Sequence, residues 1–188
     1  LCDRPAFLCG RSRTHTAQEL VEREISLMRD FFVERFSVHI GLLMQKALFY
    51  EVNTTLKPGL VDLMHNGAHT DMDRYTFRDS AYALTSYFIE VTRQGMEFAL
   101  KEGKEEDLPE LFASIRPLGI AAETAMKQAT GGVNTHKGMI FSGGILCCAL
   151  GYDIVSRDAG GSFRLKYANP GEAFPHLETT VRQMLVHL

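Results

Sequence analysis

The sequence lacks any long apolar run. Its longest stretches, such as Ile145 to Leu150, fall far short of the ~20 residues a helix needs to cross a bilayer, and no signal peptide is visible. Charge of one sign is also missing, because 20 basic and 23 acidic residues are intermixed for a net charge of -3. That excludes the basic footprint of a nucleic-acid binder and leaves Lys and Arg to be solvated or used singly on an anionic ligand. The 4 cysteines are not the density of a disulfide-stapled secreted domain, so a reducing cytoplasm is the expected compartment. Sustained polar/apolar alternation, internal repeats and low-complexity tracts are absent too, and nothing demands a buried strand.

What is present is helical periodicity. With 188 residues, 45% of them hydrophobic, the chain suffices for one sizeable core and is short for two. Val21, Ile25, Met28, Phe32, Phe36, Ile40, Leu43, Ala47 and Tyr50 recur at three- and four-residue steps, which predicts a long helix with one buried face, bent or interrupted at Gly41. Phe77, Ala81, Leu84, Phe88, Val91, Gly95 and Phe98 predict a second helix stopped at Gly103. Leu111 to Ala129 predicts a third, kinked or divided by Pro117. Gly131-Gly132 ends that helix, and Thr135 is the expected cap of another from about His136 to Leu150. The slim residues Gly143, Gly144, Cys147 and Cys148 predict that this fourth helix packs very close to a neighbour. Gly151 to Gly171 reads as a loop with a short hairpin across Phe163 to Tyr167, and Pro175 opens a last helix bearing Leu177, Val181, Met184 and Leu188. The fold class is all-α, a multi-helix globular domain with long functional loops.

Polar functional groups concentrate in two of those loops. The first, EVNTTLKPGLVDLMHNGAHTDMD from Glu51 to Asp73, is long for a connection in a helical domain, and its apolar content argues against disorder. Lys57-Pro58-Gly59 is a rigid turn whose glycine lets backbone amides approach a ligand. Asp62, Asp71 and Asp73 are close in sequence, and His65 and His69 can lie on one side of a turn. Asp73 reads equally as a helix cap and as a functional carboxylate, whereas Asp71 reads as functional.

The second loop, GGVNTHKG at 131 to 138, sets glycines ahead of a helix N-terminus, where bared amides and the helix dipole favour an anion such as a polyphosphate. Lys137 sits where the dipole disfavours a cation, a placement that a bound anion would reward. A helix C-cap followed by an N-cap is the plainer alternative. Elsewhere, Cys147 and Cys148 read as buried free thiols. Cys2 and Cys9 with His15 match no tetrahedral zinc spacing and offer no fourth ligand, so no metal is expected there.

The segments EVNTTLKPGLVD (51 to 62), NGAHTDMD (66 to 73) and GGVNTHKGMIFSGGIL (131 to 146) resemble the triphosphoribosyl-dephospho-CoA synthase family, in the family's order, over roughly residues 37 to 150. These enzymes build the prosthetic-group precursor of citrate lyase and malonate decarboxylase. LCDRPAFLCGRSRTH at 1 to 15 is similar to the tail of the phosphoribosyl-dephospho-CoA transferase that loads the finished group onto the citrate lyase acyl carrier protein. Residues 1–18 are thus expected to be a remnant or linker from a fusion, and residues 19–188 an incomplete synthase-like domain. A start at Leu1 rather than Met agrees with that expectation. Leu56 stands where the family commonly has a second proline, and a later family motif of the form GIRGE followed by GFP does not occur in the chain.

The resemblance implies transfer of the triphosphoribosyl group of ATP to the 2′-hydroxyl of 3′-dephospho-CoA with release of adenine. It implies that Lys57, Gly59, Gly131, Gly132, Asn134, Thr135 and Lys137 hold the nucleotide. It implies Mg²⁺ on Glu51, Asp71 and Asp73, with Asp62 or Asp71 as base, and His69 or His136 donating to adenine or orienting phosphates. Two alternatives remain from the residues: a metal-dependent phosphohydrolase using His65, His69, Asp71 and Asp73, and a catalytically incomplete nucleotide-binding fragment.

Overall fold

The computed structural model describes residues 2–101, 103–157, 163–165 and 170–188. A short helix α1 (Ala6–Ser12) precedes α2 (Ala17–Asn53), which starts where Thr16 and Glu19 form a reciprocal capping box. At 37 residues α2 is about 55 Å long, uninterrupted at Gly41. The buried face expected to begin at Val21 does not: Val21, Ile25 and Met28 are exposed, and burial starts at Val33. The first third of α2 extends past the neighbouring helices, so periodicity alone marked a face that nothing among the described residues covers.

The central element is α3 (Arg74–Leu100), packed against α2, α4 (Leu108–Ala129) and α5 (Lys137–Ile154). Its buried positions Ala81, Leu84, Phe88 and Val91 follow the expected spacing and join Leu111, Ile115, Met126 and Ile145 in the main core. A 3-10 turn (Glu105–Asp107) leads into α4, which runs unbroken through Pro117. The expected close approach of α5 is present. A Cβ on Gly144 would strike the Tyr87 phenol, one on Gly151 the Thr92 carbonyl, and one on Gly95 of α3 the Cys148 carbonyl. Cys147 and Cys148 are buried, and burial pushes both thiols up to about 12.

Where a loop was expected past Gly151, α5 runs on to Ile154 and two short strands follow. Strand β1 (Val155–Arg157) pairs antiparallel with β2 (Phe163–Leu165), Val155 opposite Leu165 and Arg157 opposite Phe163. The hairpin thus begins before Phe163, and Tyr167 lies outside the described residues. Helix α6 spans Pro170–Met184 with Pro175 inside it rather than opening it. Met184 is buried and Leu177 and Val181 pack on the core, but Leu188 falls beyond the helix and is exposed. Among the described residues no helix is long and apolar enough to cross a membrane.

Candidate functional site

The loop between α2 and α3 is built around a buried carboxylate. Lys57 to Leu60 form a turn with Pro58 at its second position, Gly59 at φ 80° in its third and Leu60 N–H donating to the Lys57 carbonyl at 3.1 Å, the signature of type II. Gly67, at φ 59°, lies directly against this turn: a Cβ there would come within 2.5 Å of the Leu60 carbonyl oxygen. Asp62 then closes the loop. Its side chain accepts the amides of Met64 (2.8 Å), His65 (3.0 Å) and Lys57 (3.4 Å). Desolvation pushes its carboxyl upward, yet the three amides outweigh it and the group lies below the ordinary carboxylate value. Asp62, expected as a candidate base, has a wholly covered side chain whose oxygens hold the loop together. Leu56, just ahead of the turn, has φ 66°, which a proline fixed near -65° cannot adopt.

Other residues of this loop have local partners. Lys57 Nζ donates to the Glu51 carbonyl (2.7 Å) and pairs with its carboxylate (2.8 Å), closing the C-terminal end of α2. Asp73 is the N-cap of α3: its Oδ1 accepts the amides of Tyr75 and Thr76, and its own amide donates to the Thr76 hydroxyl oxygen. The Thr76 amide foremost lowers its carboxyl. Asp71 is exposed, with His69 Nδ1 3.9 Å away. His65 Nδ1 accepts the Gly67 amide.

The loop between α4 and α5 is a C-cap followed by an N-cap. Gly131 and Gly132 have φ of 66° and 97°, and the Gly132 amide donates to the Lys127 carbonyl at 2.7 Å, ending α4. That amide is therefore committed to the helix end, a correction to the nest of bared amides expected there. The expected cap by Thr135 is not made: the N-cap of α5 is His136, without a side-chain cap bond, and Asn134 Oδ1, two residues ahead of it, accepts the Lys137 amide at 3.3 Å. Lys137 Nζ lies 3.5 Å from Glu123 of α4, which also holds Lys127 at 2.7 Å.

His136 joins this loop to α3. Its Nδ1 is 2.7 Å from the Ser80 hydroxyl, its ring meets Phe77 edge-on at 5.0 Å, and its amide contacts the Met126 sulfur. Burial lowers the imidazole to about 4 against the opposing charge of Glu51, so it is neutral near pH 7. Two side-chain atoms in this segment, Thr135 Oγ1 and His136 Nε2, are covered and have no hydrogen-bond partner. Tyr87 braces the same region through its hydroxyl, which donates to the Ile140 carbonyl at 2.8 Å.

Phe77 and Ser80 stand one and two turns beyond the Asp73 cap, about 6 to 10 Å along the helix. The two loops therefore open at the same end of α3. Among the described residues no hydrogen bond or ion pair joins Asp71 to Gly131 or Gly132. Sequence reasoning missed Ser80, Tyr87 and Glu123. A serine one position from the apolar stripe of α3 was the available signal for the first.

The carboxylates expected to hold Mg²⁺ are not gathered. Glu51 pairs with Lys57, Asp73 caps α3, and among the described residues they form no cluster with Asp71. They do not fit a resident magnesium site, which needs close oxygen ligands. The set His65, His69, Asp71 and Asp73 is likewise no metal cluster. The group that does assemble is the one whose spacing argued against it: Cys2, Cys9 and His15 place their ligand atoms within 4.8 Å of one another. Hydrogen bonds, first from Cys9 and then from His15, draw the Cys2 thiol down to about 6.

The fold and these loops define an all-α protein with a candidate ligand site at one end of its central helix. The chain belongs to the ATP:dephospho-CoA triphosphoribosyl transferase family (CitG), which it matches over residues 37–184. It is 41% identical over 152 residues to "Protein CitXG" of Haemophilus influenzae, covering 80% of this chain and 31% of that protein. It is 40% identical over 153 residues to the 2-(5''-triphosphoribosyl)-3'-dephosphocoenzyme-A synthase of Haemophilus ducreyi, covering 80% and 44%. A probable synthase of the same name from Photobacterium profundum is 46% identical over 113 residues, 60% of this chain and 34% of that protein. The chain thus spans less than half the length of these relatives. No solved structure gives a significant match.

Proposed function

We propose that this chain carries part of a site that transfers the triphosphoribosyl group of ATP to the 2′-hydroxyl of 3′-dephospho-CoA and releases adenine. The observation that carries the reading is the pair of covered, unpartnered atoms Thr135 Oγ1 and His136 Nε2 in one of the segments that resemble the family. Buried polar groups are normally satisfied, and each exception calls for a water, an ion or a ligand. A phosphate oxygen or a nucleobase nitrogen supplies what both atoms lack.

In this reaction the ribose C1′–N bond to adenine breaks and a C1′–O bond to the incoming hydroxyl forms. The hydroxyl proton leaves to a base and adenine gains a proton. In the tautomer where Ser80 donates to Nδ1, His136 carries its proton on Nε2 and donates a hydrogen bond as a neutral imidazole. Its low proton affinity suits it to orient phosphate or base rather than to protonate adenine. Asn134, Thr135 and Lys137 face the triphosphate together with the Gly131-Gly132 turn, and Lys57 joins them by exchanging Glu51 for phosphate. Gly59 sets the turn that presents Lys57. Asp71 is the exposed carboxylate open to act as base, or to meet Mg²⁺ that arrives on the phosphates of ATP, and His69 beside it is the second donor. The N-terminal residues 1–18 are read as the end of a fused phosphoribosyl-dephospho-CoA transferase, which places the citrate lyase acyl carrier protein downstream in the cytoplasm.

Free adenine is the discriminating product. The full-length protein incubated with ATP, Mg²⁺ and dephospho-CoA is expected to release adenine, and Asp71→Asn, at an exposed position, and His136→Gln to reduce that release by at least tenfold with helical circular dichroism retained. Release of inorganic phosphate without adenine, independent of dephospho-CoA, would overturn the reading in favour of a phosphohydrolase.

A further inference from the structure

Helix α1 presents no buried residue and has only 7 residues. A helix this short is marginal in water without tertiary packing, so some other interaction must hold it. Three side chains converge at this point from three different places in the chain: Cys2 ahead of α1, Cys9 within it and His15 in the turn before α2. Cys2 Sγ lies 3.0 Å from Cys9 Sγ and 3.3 Å from His15 Nε2. The chain reverses between them at Arg13, whose φ is 45°. A concavity of about 630 Å³, lined by the same three residues with Leu20, Arg23 and Leu27, opens onto them from solvent.

We propose that Cys2, Cys9 and His15 form a zinc site that fastens α1 to the start of α2. Two thiolates and an imidazole are the donor set this cation favours over harder ions. An ion bound tetrahedrally at ~2.3 Å from sulfur and ~2.0 Å from nitrogen sets its ligands roughly 3.5 to 3.8 Å apart. The Cys2–Cys9 and Cys2–His15 separations need open by less than ~1 Å, and His15 already lies within 4.8 Å of Cys9, a small adjustment for side chains at a chain reversal. Among the described residues no fourth protein ligand joins them, and water completes the shell there. Binding displaces one proton from each thiol, so uptake of one Zn²⁺ releases up to two protons. The metal supplies the cross-link that α1 does not obtain from a core, because ion binding to the folded arrangement stabilises it directly. This site is independent of the nucleotide loops and stands or falls without them.

The test uses the full chain, reduced and stripped with chelator, titrated with cobalt chloride and then zinc chloride. One equivalent of Co²⁺ is expected to give a thiolate-to-metal charge-transfer band that zinc then erases. Cys2→Ser, Cys9→Ser and His15→Ala should each weaken binding by at least tenfold with unchanged helical circular dichroism, because all three lie outside the core. Free zinc at ten times its dissociation constant should slow tryptic cleavage at Arg11 and Arg13 about tenfold, with no such protection in Cys9→Ser. The proposal is overturned if no charge-transfer band appears, if the three variants bind as tightly as the parent, or if zinc leaves cleavage unchanged.

Discussion

The Nδ1 nitrogen of His136 lies 2.7 Å from the hydroxyl oxygen of Ser80, joining residues 56 positions apart in sequence. This contact fixes the loop after α4 against the second turn of α3 and leaves the other ring nitrogen without a protein partner. Replacing Ser80 with Ala removes the one hydrogen bond that this buried ring makes among the described residues and is expected to destabilise the fold by ~1–3 kcal/mol. Urea unfolding followed by circular dichroism measures it, and an unchanged midpoint would show that the contact contributes nothing.

The same histidine makes stability depend on pH in mildly acidic solution. Its folded value of about 4 lies below the ordinary 6.5, so between those values the unfolded chain binds a proton that the native protein does not. Stability from this group is complete above 6.5 and falls as pH drops toward 4. The full loss is ~3 kcal/mol at most, since each pH unit of separation corresponds to ~1.4 kcal/mol. In His136→Gln that part of the slope should vanish, which melting temperatures measured from pH 7 to pH 4.5 would reveal.

Leu56 is expected to be improved by glycine and harmed by proline. Its φ of 66° costs a side chain ~1–2 kcal/mol that glycine avoids, and glycine's greater freedom in the unfolded chain offsets part of that gain. Leu56→Gly should therefore raise stability by about 0.5–1 kcal/mol. Leu56→Pro should loosen the loop through residue 68, read as faster amide exchange at Met64 and His65. Opposite signs for the two variants in thermal denaturation are the required result.

Gly95 permits the closest approach of α3 and α5, where an added Cβ would collide with the Cys148 carbonyl, a backbone atom that cannot rotate away. Gly95→Ala is accordingly expected to lose ~1–3 kcal/mol despite alanine's higher helix propensity. At the exposed Gly138 of α5, where a Cβ meets nothing within 4 Å, the same change should be neutral or stabilising. The denaturant midpoint should fall for Gly95→Ala and stay level or rise for Gly138→Ala.

Much of the helical framework could be read from spacing, because burial of one helix face imposes a three- and four-residue period on the residues themselves. Phe77 to Phe98 announced α3, and the glycines of α5 announced its close packing. The period could not reveal that Val21, Ile25 and Met28 are exposed, since a face records apolar residues and not what covers them. Pro117 was expected to kink or divide a helix and Pro175 to open one, yet α4 runs unbroken through Pro117 and Pro175 lies inside α6. The penalty of one missing amide is small beside the packing of a whole helix face.

The sequence by itself determined where the helices run, which loops hold the polar groups and, through the segments at 51 to 73 and 131 to 146, which family the chain joins. Those features depend on local spacing and on residue identity, which the linear order states directly. Only the tertiary structure decided what individual polar side chains do. It turned Asp62 inward as the acceptor for three amides, made Asp73 a cap, paired Lys57 with Glu51, buried His136 beside Ser80 and brought Cys2 to Cys9 and His15. A carboxylate, an imidazole or a thiol takes its role from the atoms within ~3 Å of it, and the fold sets those neighbours.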